Sequence, residues 1–164
     1  MVNQNNKDYF IEVSGSKKRK KLALIRNILS TASLEEKIEL LHHQNKFGDT
    51  PLHNAALYKN VNAVILFIKN GAQVNQQNLY GDTPLHHTAF YGNIQIAHLL
   101  VENGANVNLQ NRLGYTPLHN AIISKNLNIV ILLIKLNADL HIKNCNNKSS
   151  FDLLTEYGID SNKH

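Results

Sequence analysis

The stretch Gly48-Asp-Thr-Pro-Leu-His53 decides the fold, because the chain contains it three times. It returns from Gly81 to His86 and, with Tyr115 in place of the aspartate, from Gly114 to His119. Each copy follows the previous one by 33 residues. A constant step of that size marks one supersecondary unit copied along the chain. The expected architecture is therefore a stack of units, not a globule with a closed core. A stack offers a long grooved surface and seldom an active-site pocket.

The residues of each copy have assignable jobs. Thr50, Thr83 and Thr116 are placed as helix N-caps, where a hydroxyl accepts from an unpaired first-turn amide. Pro51, Pro84 and Pro117, the only prolines of the chain, follow at the first helical position, where a missing N–H costs nothing. Ala55, Ala56 and Ala121 keep this first helix thin. A second helix follows in each unit, with apolar residues at spacings of three and four: Val61, Val64, Phe67, Ile68; Ile94, Ala97, Leu100, Val101; Leu127, Val130, Leu133, Ile134. Gly71 and Gly104 are read as left-handed helix stops, and Asn137 takes that place in the third unit. Asn147 likewise stands where the turn glycines Gly48, Gly81 and Gly114 stand earlier.

Thr-Pro-Leu-His, then a helix with paired small residues, then Gly-Ala-x-Val-Asn (Gly71 to Asn75, Gly104 to Asn108) resembles the ankyrin repeat. The resemblance runs from Lys46 to Tyr157. It implies an all-α repeat solenoid of helix-turn-helix units with short β-hairpin fingers. It also implies a non-enzymatic protein–protein interaction module, an adaptor or inhibitor that binds through its concave groove and fingertips. The expected layout is a flexible arm at 1–16 and a degenerate N-terminal capping repeat at 17–45. Three full repeats at 46–146, a C-terminal half-repeat at 147–158 and a tail at 159–164 complete it. In the cap, Leu22, Ile25, Ile28 and Leu29 mark one helix. Leu34, Ile38 and Leu41 mark a second after Ser33. Residues 1–13 read as loose, with the alternative that Tyr9, Phe10, Ile11 and Val13 fold back on the cap.

Charge is concentrated at one end. Residues 1–33 hold seven Lys/Arg and two Asp/Glu; residues 34–164 hold ten of each. The net charge of +5 thus lives in the N-terminal segment, mostly in Lys17, Lys18, Arg19, Lys20 and Lys21. This run resembles a nuclear import signal, and nucleic-acid or acidic-partner binding through it is the alternative function. The repeat body carries no such footprint, so nucleic acid is not the expected partner of the repeats. Cys145 is the only cysteine, so no intrachain disulfide forms. No apolar run approaches the ~20 residues of a spanning helix, and the first residues lack a signal-peptide core. An intracellular monomer is expected, cytoplasmic or nuclear, with delivery into a host cell included. Asparagine, with 24 copies, has no assigned role beyond a hint of A/T-rich coding.

Catalytic and metal chemistry find little support. His53, His86 and His119 recur at equivalent places, but packed helices lie ~8–10 Å apart, too far for imidazoles to share a zinc with ~2 Å bonds. The adjacent pairs His42-His43 and His86-His87 diverge on a helix. Cys145 has no positioned base nearby. No catalytic residue, metal or cofactor is expected. The informative positions are those the repeat leaves free. By resemblance, partners contact Phe47, Leu79, Tyr80, Arg112, Leu113 and Tyr115 at the fingertips, and Tyr58, Phe90 and Tyr91 at the first-helix edge. Rings at matching heights would form an apolar groove for another protein, with tyrosine and arginine as anchors. The competing reading has these rings packing on one another to stiffen the stack, with Leu57, Phe90 and Ile123 half-buried between units. Asn75 and Asn108 occupy the Val-Asn position that, by the same resemblance, asparaginyl hydroxylases modify.

Overall fold

The computed structural model describes Lys7, Phe10 and residues 19–158. Between 19 and 158 the chain forms nine helices. Helices α1 (Arg19–Thr31) and α2 (Leu34–His42) come first. Three pairs follow: α3 (Pro51–Leu57) with α4 (Val61–Lys69), α5 (Pro84–Tyr91) with α6 (Ile94–Glu102), and α7 (Pro117–Ile123) with α8 (Leu127–Lys135). Helix α9 (Ser150–Glu156) is last. Helices α3, α5, α7 and α9 stack in an inner row, and α4, α6 and α8 in an outer row.

The threonines open the inner helices as their spacing predicts. Thr50 and Thr116 accept the His53 and His119 amides at 3.4 Å. In return each histidine Nδ1 accepts a threonine amide, at 3.2 Å in the first unit and 3.1 Å in the other two. This is a capping box with histidine in the usual place of glutamate. The outer helices start at asparagine: Asn60 accepts from the Ala63 amide at 3.2 Å and Asn93 from Ile96 at 3.0 Å. Left-handed backbone occurs where the repeat requires it, including at Asn137 (φ 61°) and Asn147 (φ 57°).

The core runs the length of the stack. Leu52, Leu85 and Leu118 are fully buried between the rows, beside Ala55, Ala56, Ala89 and Ala121. From the outer row come Val64, Phe67, Ala97, Leu100, Val130 and Leu133. The ends of the predicted stripe differ: Ile94, Leu127 and Ile134 are exposed, while Ile96 and Ile129 are buried. A helix of nine residues makes two and a half turns, and packing selects which flank of the stripe turns inward.

Two expectations need correction. The fingers are not hairpins with paired strands. Among the described residues the one bridge at a finger joins Lys143 and Ser149. Each finger is instead an asparagine-centred turn. Asn45 Oδ1 accepts the Phe47 and Asp49 amides at 2.8 and 2.9 Å. Asn78 does the same for Tyr80 and Asp82, Asn111 for Leu113 and Tyr115, and Asn144 for Asn146 and Lys148. A side-chain carbonyl holding two amides fixes so short a loop without a ladder.

The N-terminal cap also departs from the reading. Its two helices are present, and Ser33 caps α2 with Glu36 completing the box. Leu41 is buried as expected, but Leu34 and Ile38 are exposed, and Leu40 is buried instead. Helix α1 packs on the outer helix α4 and α2 on the inner helix α3. Phe10 is not in a loose arm: it is fully buried, its ring centroid 5.5 Å from that of Phe67. Lys7 forms an ion pair with Glu39 of α2 at 2.6 Å. The fold-back alternative holds at Phe10; Tyr9, Ile11 and Val13 lie outside the described residues.

Candidate functional site: a ledge of exposed side chains

The fingers are joined tip to tip through the backbone. The Leu79 amide donates to the Phe47 carbonyl at 3.1 Å, Arg112 to Tyr80 at 3.0 Å, and Cys145 to Leu113 at 3.0 Å. A second row of bonds runs alongside. Gln77 Nε2 donates to the Gln110 carbonyl at 3.0 Å, and Gln110 Nε2 to that of Lys143 at 2.9 Å. Residues 32 or 33 positions apart are thereby held side by side as one edge. Gly81 sits inside this joint with φ +78°, and a Cβ there would lie 2.7 Å from the Arg112 nitrogen. Only glycine admits so close a neighbour at such a backbone angle.

Below the tips lies a polar ladder that locks unit to unit. His53 Nδ1 accepts the Thr50 amide, so its Nε2 carries the proton and donates to the Asp82 carbonyl at 3.0 Å. His86 donates in the same way to Tyr115 at 3.0 Å, and His119 to Lys148 at 3.2 Å. Burial pushes His53 down to about 4, against the opposing pull of the Asp82 carbonyl, and moves His86 and His119 in the same direction. These imidazoles are neutral structural links. In α9 the equivalent residue is Asp152, whose carboxylate accepts from Ser149 and has no proton to pass onward. Asp49 is tied in too, with Asn78 Nδ2 at 2.8 Å and His87 Nε2 at 3.5 Å. Burial pushes this carboxyl up, but the bonds from His87 and Asn78 outweigh it and hold it below the usual range.

The side chains that could meet a partner stand on this frame. Phe47, Tyr58, Leu79, Tyr80, Phe90, Tyr91 and Leu113 are between 44% and 61% exposed. Arg112 is exposed as well. The Phe90 and Tyr91 rings meet edge to face at 5.2 Å. Two residues fit the stacking reading: Leu57 and Ile123 are half-buried. Tyr115 differs from the other ring positions. It is half-buried, and its ring lies 5.7 Å from that of His119. It replaces the aspartate of the earlier copies, so its ring occupies the space beside the imidazole.

Matching of the sequence against family models finds ankyrin repeats (3 copies), over residues 16–111 and 66–144. The chain belongs to the ankyrin-repeat family. Ankyrin repeats are generally protein–protein interaction modules. Comparison with curated proteins finds no match. In this ankyrin chain no described residues group as three or more metal ligands. No described helix is long and apolar enough to cross a membrane.

The remaining candidates fall outside the ledge. Lys17 and Lys18 lie outside the described residues, and Arg19, Lys20 and Lys21 open α1. Asn75 and Asn108 bridge ankyrin units. Asn75 donates to the Gly104 carbonyl and accepts the Asn106 amide, both at 2.8 Å, and Asn108 accepts the Asp139 amide at 2.8 Å. A modifying enzyme would have to draw either segment away from its neighbour. Sequence reasoning missed the asparagines at 45, 78, 111 and 144. Their 33-residue recurrence was the available signal, hidden among many other asparagines.

Proposed function

We propose that this ankyrin-repeat chain is a non-enzymatic adaptor or inhibitor that holds one protein partner along its fingertip ledge. The observation that carries the reading is two rows of exposed side chains repeated from unit to unit, Phe47, Tyr80 and Leu113 on tips joined by backbone hydrogen bonds, and Tyr58 and Tyr91 at the ends of the inner helices. A solvated edge has no use for such rows, and contiguous exposed apolar surface marks interaction sites. The frame is built before any partner arrives, so little ordering cost is charged at binding. Tyr58, Phe90, Tyr91 and Arg112 are the proposed anchors, flanked by Phe47, Leu79, Tyr80 and Leu113. The chain acts as a monomer within a reducing compartment, consistent with its lone exposed Cys145.

Hydroxyl-radical footprinting of the chain, free and bound to a protein captured from its native cells, tests this. Protection of Tyr58, Tyr80 and Tyr91 is expected. Unchanged labelling there, with protection of Ile94, Leu127 and Ile131 on the outer helices instead, would move the interface to the opposite face.

A further inference from the structure

The charges of the ledge are sorted by height. One tip position is filled in successive fingers by Lys46, Leu79, Arg112 and Cys145, and the two cations are exposed. Lys46 Nζ stands 5.0 Å from the centroid of the Phe47 ring, beside the apolar row. The carboxylates lie lower. Asp49 is buried and Asp82 half-buried, and each has an oxygen taken at 2.8 Å by an asparagine of the next finger. The exposed pair Lys148 and Glu156 bond each other. What the edge presents outward is therefore cation, apolar side chain, cation.

Taking the ledge as a protein-binding surface, we infer that its occupant is an extended acidic peptide segment with an apolar residue between two carboxylates. The spacing follows from the frame. Successive units are ~8–10 Å apart, so Lys46 and Arg112, two units apart, are separated by about 20 Å. An extended chain rises ~3.3 Å per residue, so the two carboxylates stand about six residues apart with the apolar residue midway, opposite Leu79. Acidic residues matched to exposed cations set register and partner choice more than raw affinity. A nucleic-acid strand fits less well. The repeat body from residue 34 onward holds ten Lys/Arg and ten Asp/Glu, so the two edge cations stand without the continuous basic footprint that a phosphate backbone needs.

The test is selection of a phage-displayed random peptide library on the immobilised full chain. It is repeated on K46E/R112E and on a Tyr58→Ala, Tyr80→Ala, Tyr91→Ala variant. The expected peptides are enriched in acid–apolar–acid spacing. They lose roughly tenfold or more in affinity on K46E/R112E and fail to bind the tyrosine variant. Peptides without acidic bias, or with undiminished affinity for K46E/R112E, would overturn the acidic occupant while leaving the ledge standing. Peptides that bind the tyrosine variant equally well would overturn the ledge itself. An empty selection, or oligouridylate binding that depends on Lys46 and Arg112, would also overturn the acidic peptide.

Discussion

Acidification should loosen the ankyrin stack along its histidine ladder. His53, His86 and His119 are buried, and each donates from Nε2 to a carbonyl of the next unit while Nδ1 accepts a threonine amide. A second proton on any of them would strip Nδ1 of its lone pair and bury a charge. The folded-state value of His53 lies at about 4 against an ordinary 6.5. Between those values the unfolded chain takes up a proton that the folded chain refuses. Stability from this residue is therefore complete above pH 6.5 and declines toward pH 4. At about 1.4 kcal/mol per pH unit, the loss from His53 alone is about 3 kcal/mol. His86 and His119 act in the same sense. For a domain holding ~5–15 kcal/mol, this is a large share. Urea unfolding followed by circular dichroism at pH 7.5, 6.5, 5.5 and 4.5 measures it. The midpoint should fall steadily below pH 6.5, and the H86Q variant should show a shallower slope. In NMR titration His53 should titrate near 4. An unchanged midpoint down to pH 4.5, or a His53 signal titrating at an ordinary position, would refute the reasoning.

Further outcomes follow from the same geometry. G81A should cost about 2–4 kcal/mol, a left-handed backbone penalty plus the clash with the Arg112 nitrogen, while G71A, with nothing within 4 Å of an added Cβ, should cost about 1 kcal/mol in urea titration. N78A removes the acceptor of two finger amides and the donor to Asp49, and should lose about 2–3 kcal/mol by the same assay. Lys59 holds φ 57° at the turn where the second unit has Gly92, so K59G should raise the melting midpoint, with a gain of about 1 kcal/mol.

The helices were legible because their start signals are local. Thr-Pro at 50, 83 and 116 marks a first turn whatever surrounds it, and the 33-residue step then aligns everything downstream. What stayed hidden depends on contacts between distant residues. The buried ring of Phe10 meets Phe67, a partner that no local pattern specifies. In α2, Leu34, Ile38 and Leu41 share a stripe, but Leu40 and Leu41 share the face that α3 covers, and periodicity cannot choose between them. The asparagine turns were unread because asparagine is common throughout this chain. At the ledge, the positions that the repeat leaves over are exposed, Phe90 among them at 44% with its ring against the edge of Tyr91. Tyr115 is half-buried against the adjacent imidazole, a contact that its place in the finger does not announce.

The most direct measurement is the affinity of the captured partner for the wild-type chain and for the Tyr58→Ala, Tyr80→Ala, Tyr91→Ala variant, beside their melting curves. With interface anchors worth ~1–2 kcal/mol each, affinity should drop by about a hundredfold or more while the melting midpoint stays near wild type. Equal affinity in a folded variant would contradict the ledge as a binding surface. A collapsed melting curve would show that those rings hold the ankyrin units together.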